Sequence, residues 1–512
     1  MGGVEFDHDF SSSIGSKHAF VRTSNRGLLS LIYRYVMAGQ LKPYWTSCLL
    51  PFISEPTWRG IMTITRTLAE FSVQTSTRAI PVEVTARASA LMTDFAGSVI
   101  RAATDSDSGP AILATLDRLG LAGEGPCTVL GLSRRFGAGA AALLNGAFGH
   151  SLDFDDTHAD SSLHPSAPVI PSALAAAELT DASGADLLAA IVVGFEVCCR
   201  IGMALDPTAH YARGFHPTAT AGTFGAAAAA GRLMGLTSEQ MMSAFGIAAS
   251  QASGSLQFLQ NGAWNKRYQV GEAAMKGLIA ATLADEGFLG AADALEGKHG
   301  FLKGYSDGVV AERAISGLGE NWETLRIGVK PYPACRYTHA AVDGLLQLQQ
   351  EHGWSVDDID HVRVGLHRNG IALVGAPLDD KRRARTIVEG QFSMPFAAAV
   401  ALLRGRFGWD DYDLLGDPKA DDLADRIEVL QDATLEGLRH PFGATLEVTA
   451  KGKVRHLRIP DPSGEPETFP DDQAIARKFD ALTAPVANGR DGAWLASLRT
   501  LHDTPSVRRH FA

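Results

Sequence analysis

Cysteine is scarce and poorly placed for chemistry: Cys48, Cys127, Cys198, Cys199 and Cys335 are the only five. None belongs to a C-x-x-C pair, a zinc spacing or an iron–sulfur set, which excludes a metal module built on thiolates. An odd, scattered count points instead to free thiols in a reducing compartment. Long apolar runs are missing too. Leu187 to Phe195 is broken by Glu196 and then Arg200, so no membrane span is expected. Positive charge is in the minority, with 46 Lys+Arg against 57 Asp+Glu and a net charge of −11. The only dense basic run is Lys381-Arg382-Arg383. A nucleic-acid or anionic-membrane surface is therefore not expected, and an anionic ligand would need a local basic pocket. Met1 to Phe10 has neither a basic start nor an apolar stretch and does not read as a signal peptide. A cytoplasmic location is the expectation, with an organellar address left open.

What remains is a composition of 46% hydrophobic and 20% charged residues over 512 positions. That is globular, and too long for one core. Alanine abundance tilts the class toward helix. Residues 1–61 mix Ser, Arg, Trp and Pro without a sustained period, so Met62 is a candidate alternative start and the preceding stretch an extension or a mis-assigned beginning. Helical rhythm begins at Leu68 and Phe71 and runs to Arg101. Thr128 to Leu130 reads as a short strand. Ala138 to Phe148, Ser172 to Leu179, Ala185 to Met203, Ala219 to Gly235, Ser238 to Ser250 and Gly271 to Glu286 read as helices. Their closely spaced Gly and Ala suit tight helix–helix approach. From about Leu325 the pattern changes to strands at Leu325 to Val329, His361 to Leu366, Thr445 to Val448 and Val454 to Ile459. Helices at His339 to Gln350 and Phe392 to Leu403 lie between them. This places a boundary near residue 326. The charged helical run from Asp471 is expected to return to the first domain. The glycine-rich stretch Gly137 to Ala142 imitates a dinucleotide fingerprint, but no alternating βαβ series follows it, and close helix packing is the better reading.

Chemistry concentrates in Gly149-His150-Ser151-Leu152-Asp153-Phe154-Asp155-Asp156-Thr157, followed by Leu163-His164-Pro165-Ser166. If the first stretch is helical, His150, Asp153 and Thr157 share a face. Pro165 stops that helix, Ser166 caps the next, and His164 lies at its N-terminus beside free N–H groups. Capping or a solvated acidic face is the competing reading. Lys266 precedes the small-residue helix at Gly271, out of place unless an anion binds there; an exposed loop lysine is the alternative. Lys330 sits in Val329-Lys330-Pro331-Tyr332-Pro333, where two prolines hold it in fixed relation to Arg336 and His339. Gly214-Phe215-His216-Pro217 repeats the His-Pro geometry. Two His-Pro sites, two lysines and an acidic face, with no metal pattern, describe a metal-free pocket for a polycarboxylate.

These residues carry a resemblance to the MmgE/PrpD family, running from about Met62 to near the C-terminus. It rests on Asp153 to Thr157 with Leu163 to Ser166, Gly214 to Pro217, Lys266 with Gly271-Glu272-Ala273-Ala274, and Lys330 to Pro333. The resemblance implies a mostly α fold, a large all-α helical domain plus a smaller α+β lid domain, in homodimers. On this chain that gives an extension over 1–61, a helical domain over 62–326, a lid over 327–470 and a C-terminal segment over 471–512. It implies Asp153, Thr157, His164, His216, Lys266 and Lys330 as pocket residues. The animal decarboxylase of the family has a further histidine where this chain has Cys335.

Removing a proton alpha to a carboxylate and stabilising the enolate-like state that follows needs a base, an acid and cations. His164 is expected as the principal acid/base, with Asp153 orienting or tuning it and His216 second. Lys266 and Lys330 are expected to clamp carboxylates from opposite sides of a cleft, and Thr157 to donate a hydrogen bond. No cofactor or metal is expected. The reaction expected first is dehydration of a 2-methylcitrate-type hydroxy acid. Itaconate-forming cis-aconitate decarboxylation is the alternative, then iminodisuccinate-type epimerisation, then a non-catalytic polycarboxylate-binding protein.

Overall fold

Small residues at helical spacing set the architecture. In the computed structural model, which describes residues 63–437, 441–487 and 489–511, Met62–Ala512 forms one compact unit. The expectations for residues 1–61 lie outside the described residues. The helical part comprises α1 (Ile64–Gln74), α2 (Val82–Asp105), α3 (Ala138–Gly149), α4 (Ser166–Thr180), α5 (Gly184–Ala204), α6 (Pro217–Leu233), α7 (Ser238–Gln251) and α8 (Asn265–Asp285). Helix α6 lies against α4, α5, α7 and α8, and α3 lies against α8. Glycine makes these approaches possible. A Cβ on Gly194 of α5 would stand 2.8 Å from the Gly225 carbonyl of α6, and one on Gly225 would stand 2.6 Å from the Gly194 carbonyl.

At Gly146 of α3 a Cβ would lie 2.9 Å from Gly271 Cα of α8 and 3.0 Å from the Ala167 carbonyl. Backbone is what it would meet, and backbone cannot rotate away. Gly146→Val is therefore expected to destabilise the fold by about 1–3 kcal/mol through overpacking. A denaturant midpoint equal to the parent's would contradict this contact.

Helix α5 departs from the expectation of an interrupted apolar run. The most apolar 18-residue window of this 21-residue helix reaches a mean hydropathy of 2.0, long and apolar enough to cross a membrane, yet that window is wholly buried within the protein. Glu196 and Arg200 do not break it because each is satisfied inside. Arg200 pairs with Glu196 at 3.3 Å and donates to the carbonyls of Ser316 (2.7 Å) and Asn321 (2.6 Å). Glu196 accepts from the backbone N–H groups of Thr324 (2.9 Å) and Glu323 (3.1 Å). The buried pair lashes residues 316–324 to α5.

The short pair β1 (Thr157–His158) and β2 (Ile327–Gly328) is antiparallel, with Thr157 opposite Gly328. Beyond it stands a four-stranded sheet of β3 (Ile359–Leu366), β4 (Ile427–Gln431), β5 (Ala444–Ala450) and β6 (Lys453–Ile459), in the order β4-β3-β5-β6. β3 and β4 run parallel, and the other two pairings are antiparallel. Period-two burial places Val362, Val364 and Leu366 in the core with Leu446 and Val448 beside them. That face is covered by α9 (His339–His352) on β5 and β6 and by α10 (Met394–Arg404) on β4. Strand β4 has no counterpart in the sequence reading. Helix α11 (Asp472–Thr483) packs on α2, with Phe479 fully buried.

Candidate active site

Helix α3 ends at Gly149, so the conditional helix through Thr157 does not form. His150 caps it, and Asp153 adopts a left-handed backbone with φ +51°, a conformation that a short polar side chain tolerates better than most. The chain then enters β1. Asp155 and Asp156 are turned inward, both almost wholly buried. The Asp156 carboxylate accepts from Ser166 Oγ at 2.7 Å and from the Ser166 backbone N–H at 3.2 Å. Ser166 is thus the first residue of α4 rather than its cap, and Asp156 fills the anion position at that helix N-terminus. Burial, followed by the neighbouring Asp155, pushes the Asp156 carboxyl well up.

His164 stands two residues before α4. Its Nδ1 lies 2.6 Å from the Asp156 backbone carbonyl and 3.5 Å from Thr157 Oγ1. A carbonyl only accepts, so Nδ1 carries the hydrogen and Nε2 holds the lone pair. His216 is the residue before α6, and Pro217 at the first helical position suits that start. The His150 ring lies 5.0 Å from that of His164 and 5.9 Å from that of His216. Three imidazoles therefore meet in one cluster. Burial lowers all three well below the usual histidine range, and the Lys266 ammonium lowers each further. Each ring is therefore biased toward its neutral form.

The lysines behave differently from the expected opposed clamp. Lys266 lies inside α8, in its first turn, because the helix begins at Asn265 and not at Gly271. Its Nζ forms a short ion pair with Asp153 Oδ1. Lys330 follows β2, and the β1–β2 ladder carries it to the same carboxylate: Nζ is 3.1 Å from Asp153 Oδ1 and 3.0 Å from the Asp153 carbonyl. Both ammonium groups thus converge on one oxygen, while Oδ2 stays buried with no partner among the described residues. Burial disfavours the Asp153 anion, but Lys266 and Lys330 outweigh it and hold the carboxyl well below its ordinary range. Asp153 consequently places its close contacts on the two lysines, and its coupling to His164 is electrostatic. Lys330 is almost wholly buried, whereas Lys266 lines a cavity of about 390 Å³ together with His150, Asp153 and Arg267. The opposite wall comes from residues 372–392, including Lys381 and Gln391.

Supporting groups complete the site. Lys478 of α11 reaches Asp94 at 2.7 Å and donates to the Phe154 carbonyl at 2.7 Å, bracing the loop from below. Arg336 is committed to Glu465 (2.6 Å), and its Nη1 lies 3.1 Å from His339 Nδ1, so that pair stiffens the lysine segment and does not face a ligand. Cys335 is buried nearby, and burial raises its thiol, followed by Asp153. His150, Asp155 and His164 bring ligand-type atoms within 4.8 Å of one another. Asp155 and His150 already spend theirs on each other at 2.7 Å, and two ammonium groups act on the cluster, which suits proton sharing better than a cation. The sequence reading omitted His150 and Asp155 from the site. The available signal was that both belong to the same short motif as Asp153.

A family profile described as the MmgE/PrpD N-terminal domain matches residues 66–314, and one described as the C-terminal domain matches residues 332–499. The chain belongs to the MmgE/PrpD family. Among its relatives is the cis-aconitate decarboxylase-like protein oryM of Aspergillus oryzae, 31% identical over 386 residues, which span 71% of this chain and 79% of that protein. Cis-aconitate decarboxylase of Aspergillus terreus is 34% identical over 325 residues, 59% of this chain and 66% of the relative. The Homo sapiens cis-aconitate decarboxylase is 33% identical over 217 residues, 41% of this chain and 44% of the relative. The two profile matches are separated by residues 315–331.

Proposed function

We propose that this MmgE/PrpD protein is a carboxy-lyase that decarboxylates a cis-aconitate-type tricarboxylate without a metal. The observation that carries the reading is the meeting of three imidazoles with a carboxylate held by two ammonium groups, beside a cavity. Names of relatives favour decarboxylation over the dehydration expected first. The chemistry agrees, because decarboxylation needs only an electron sink and one proton donor. The bond to the departing carboxylate breaks and its electron pair forms a new terminal C=C. The former double-bond pair moves to the carbon alpha to a remaining carboxylate, which takes a proton. CO₂ leaves, and one proton is consumed.

Each role follows from position. Lys266 has three donors, one of them on Asp153, and faces the cavity, so it binds a substrate carboxylate and stabilises the enediolate-like charge. Lys330 acts through Asp153. His164 supplies the proton, with Thr157 beside it and His216 behind His150. The segment 327–470 serves as a lid, since residues 372–392 form the far wall of the cavity. Following proton NMR spectra of the protein with cis-aconitate and, separately, 2-methylcitrate tests the choice. Itaconate from the first at a rate unaffected by exhaustive EDTA dialysis is the expected result. Turnover of 2-methylcitrate alone, or loss of activity on chelation with recovery on adding a divalent metal, would overturn it.

A further inference from the structure

Asp155 and His150 form a buried pair that the roles above do not use. His150 is 2% exposed and Asp155 0%. The His150 Nδ1 lies 2.7 Å from Asp155 Oδ2, so with the carboxylate ionised Nδ1 is the donor and Nε2 is left with its lone pair. That Nε2, like Asp155 Oδ1, has no partner among the described residues. An imidazole nitrogen buried without a partner carries a desolvation cost that a purely structural histidine would avoid. It is therefore a candidate for a function. His150 also lines the cavity, which gives it a route to solvent, while its ring stands edge-on to His164 with centroids 5.0 Å apart. The two rings are close enough, at 5.0 Å between centroids, for one bridging water to link their free nitrogens.

We propose that Asp155, His150 and His164 form a proton relay: Asp155 fixes the His150 tautomer, and His150 returns a proton from the cavity to His164 after each turnover. This rests on the decarboxylase reading above only for the identity of the proton acceptor. In the cycle the His164 Nε2–H bond breaks as the substrate C–H bond forms. His164 then takes a proton from the His150 imidazolium through water, and His150 is reprotonated from solvent. One solvent proton is consumed per CO₂ released. The charged and titratable groups around His150 are Asp153, which favours its cation, Lys266, Lys330 and Arg267, which oppose it, and Asp155 in hydrogen-bond contact, whose own carboxyl is raised by burial, with His164 and His216 as ring neighbours. Entry of a polyanionic substrate tips that balance toward protonation. Asp155 then neutralises the imidazolium, as an acidic partner does for a general-base histidine. His150 and Asp155 are on this account positioning residues, acting through His164.

The test combines kinetics of His150→Gln, Asp155→Asn and the double variant His150→Gln/His164→Gln with nitrogen-15 NMR of the histidines, using the saturated tricarboxylate tricarballylate as the bound probe. His150→Gln is expected to lower kcat about tenfold to a hundredfold with KM within about threefold. The double variant should be no slower than His164→Gln alone, because members of one relay are not additive. In Asp155→Asn the alkaline fall of kcat should move to lower pH by about one unit or more, since loss of the anion destabilises the imidazolium. With tricarballylate bound, His150 should show an Nδ1–H tautomer in equilibrium with its cation near neutral pH. Multiplicative losses in the double variant, an unmoved pH limb in Asp155→Asn, or a His150 that stays neutral with tricarballylate bound would each overturn the relay. If cis-aconitate is not turned over at all, the decarboxylase reading fails separately, and the NMR measurement still decides the relay.

Discussion

Replacing His164 by glutamine is expected to lower kcat at least about a hundredfold while leaving the melting temperature near that of the parent. Glutamine can keep a donor on the Asp156 carbonyl, which is the contact that fixes the ring at 2.6 Å, but it cannot deliver a proton. Burial, with the charges of Lys330 and Lys266 and against the pull of Asp155, lowers this imidazole well below the usual histidine range. The substrate's own negative charge must therefore recruit the proton, and kcat should fall as pH rises through the value of the complex. His216→Gln is the comparison. His216 touches the cluster only through the His150 ring, 5.9 Å away between centroids, so its loss should cost less. A His164→Gln enzyme with most of its turnover, alongside a dead His216→Gln enzyme, would reverse these assignments.

Lys330→Met should lose both stability and activity. The sequence places Lys330 in a proline-stiffened hinge, where its loss would be expected to leave stability almost untouched. The structure buries it to 1% exposure with its ammonium on Asp153. Breaking one arm of a buried ion pair leaves the other charge short of a partner, at a cost of about 3 kcal/mol, the low end for buried pairs because Lys266 remains. The catalytic loss is about tenfold to a hundredfold in kcat/KM, because the Asp153 loop loses its anchor. The sign of the pH effect follows from Asp153. Its carboxyl is depressed in the folded state, so its contribution is full above the ordinary carboxylate range and is lost as pH falls through the folded value. In Lys330→Met that loss should begin at higher pH. Adding Asp153→Asn should recover part of the stability and none of the activity. Denaturant melts at two pH values and steady-state kinetics decide the matter, and an unchanged melt for Lys330→Met would refute the buried anchor.

The helical class, the spacing of the small residues and the positions of most helices and sheet strands were legible in the chain, because each rests on local periodicity and on propensities acting within a few residues. The boundary of α8 was not. Lys266 looked like a loop residue because nothing local marks the start at Asn265: Trp264 precedes it without a side-chain cap. Strand β4 was missed because its core-facing residues, Ile427 and Val429, are too few to establish a period.

The residue types of the site were equally legible, since His, Asp, Thr and Lys in short motifs carry chemistry whatever their partners. Their partnerships were a different matter. That Asp153 pairs with the two lysines, that Asp156 caps α4, and that Asp155 belongs to His150 depend on a left-handed turn at Asp153 and on a two-residue ladder joining Thr157 to Gly328. The sequence by itself determined which groups were present. Only the tertiary structure decided which charge meets which, because electrostatic and hydrogen-bond partners are chosen by distance in space, and Lys330 reaches Asp153 across 177 positions of chain.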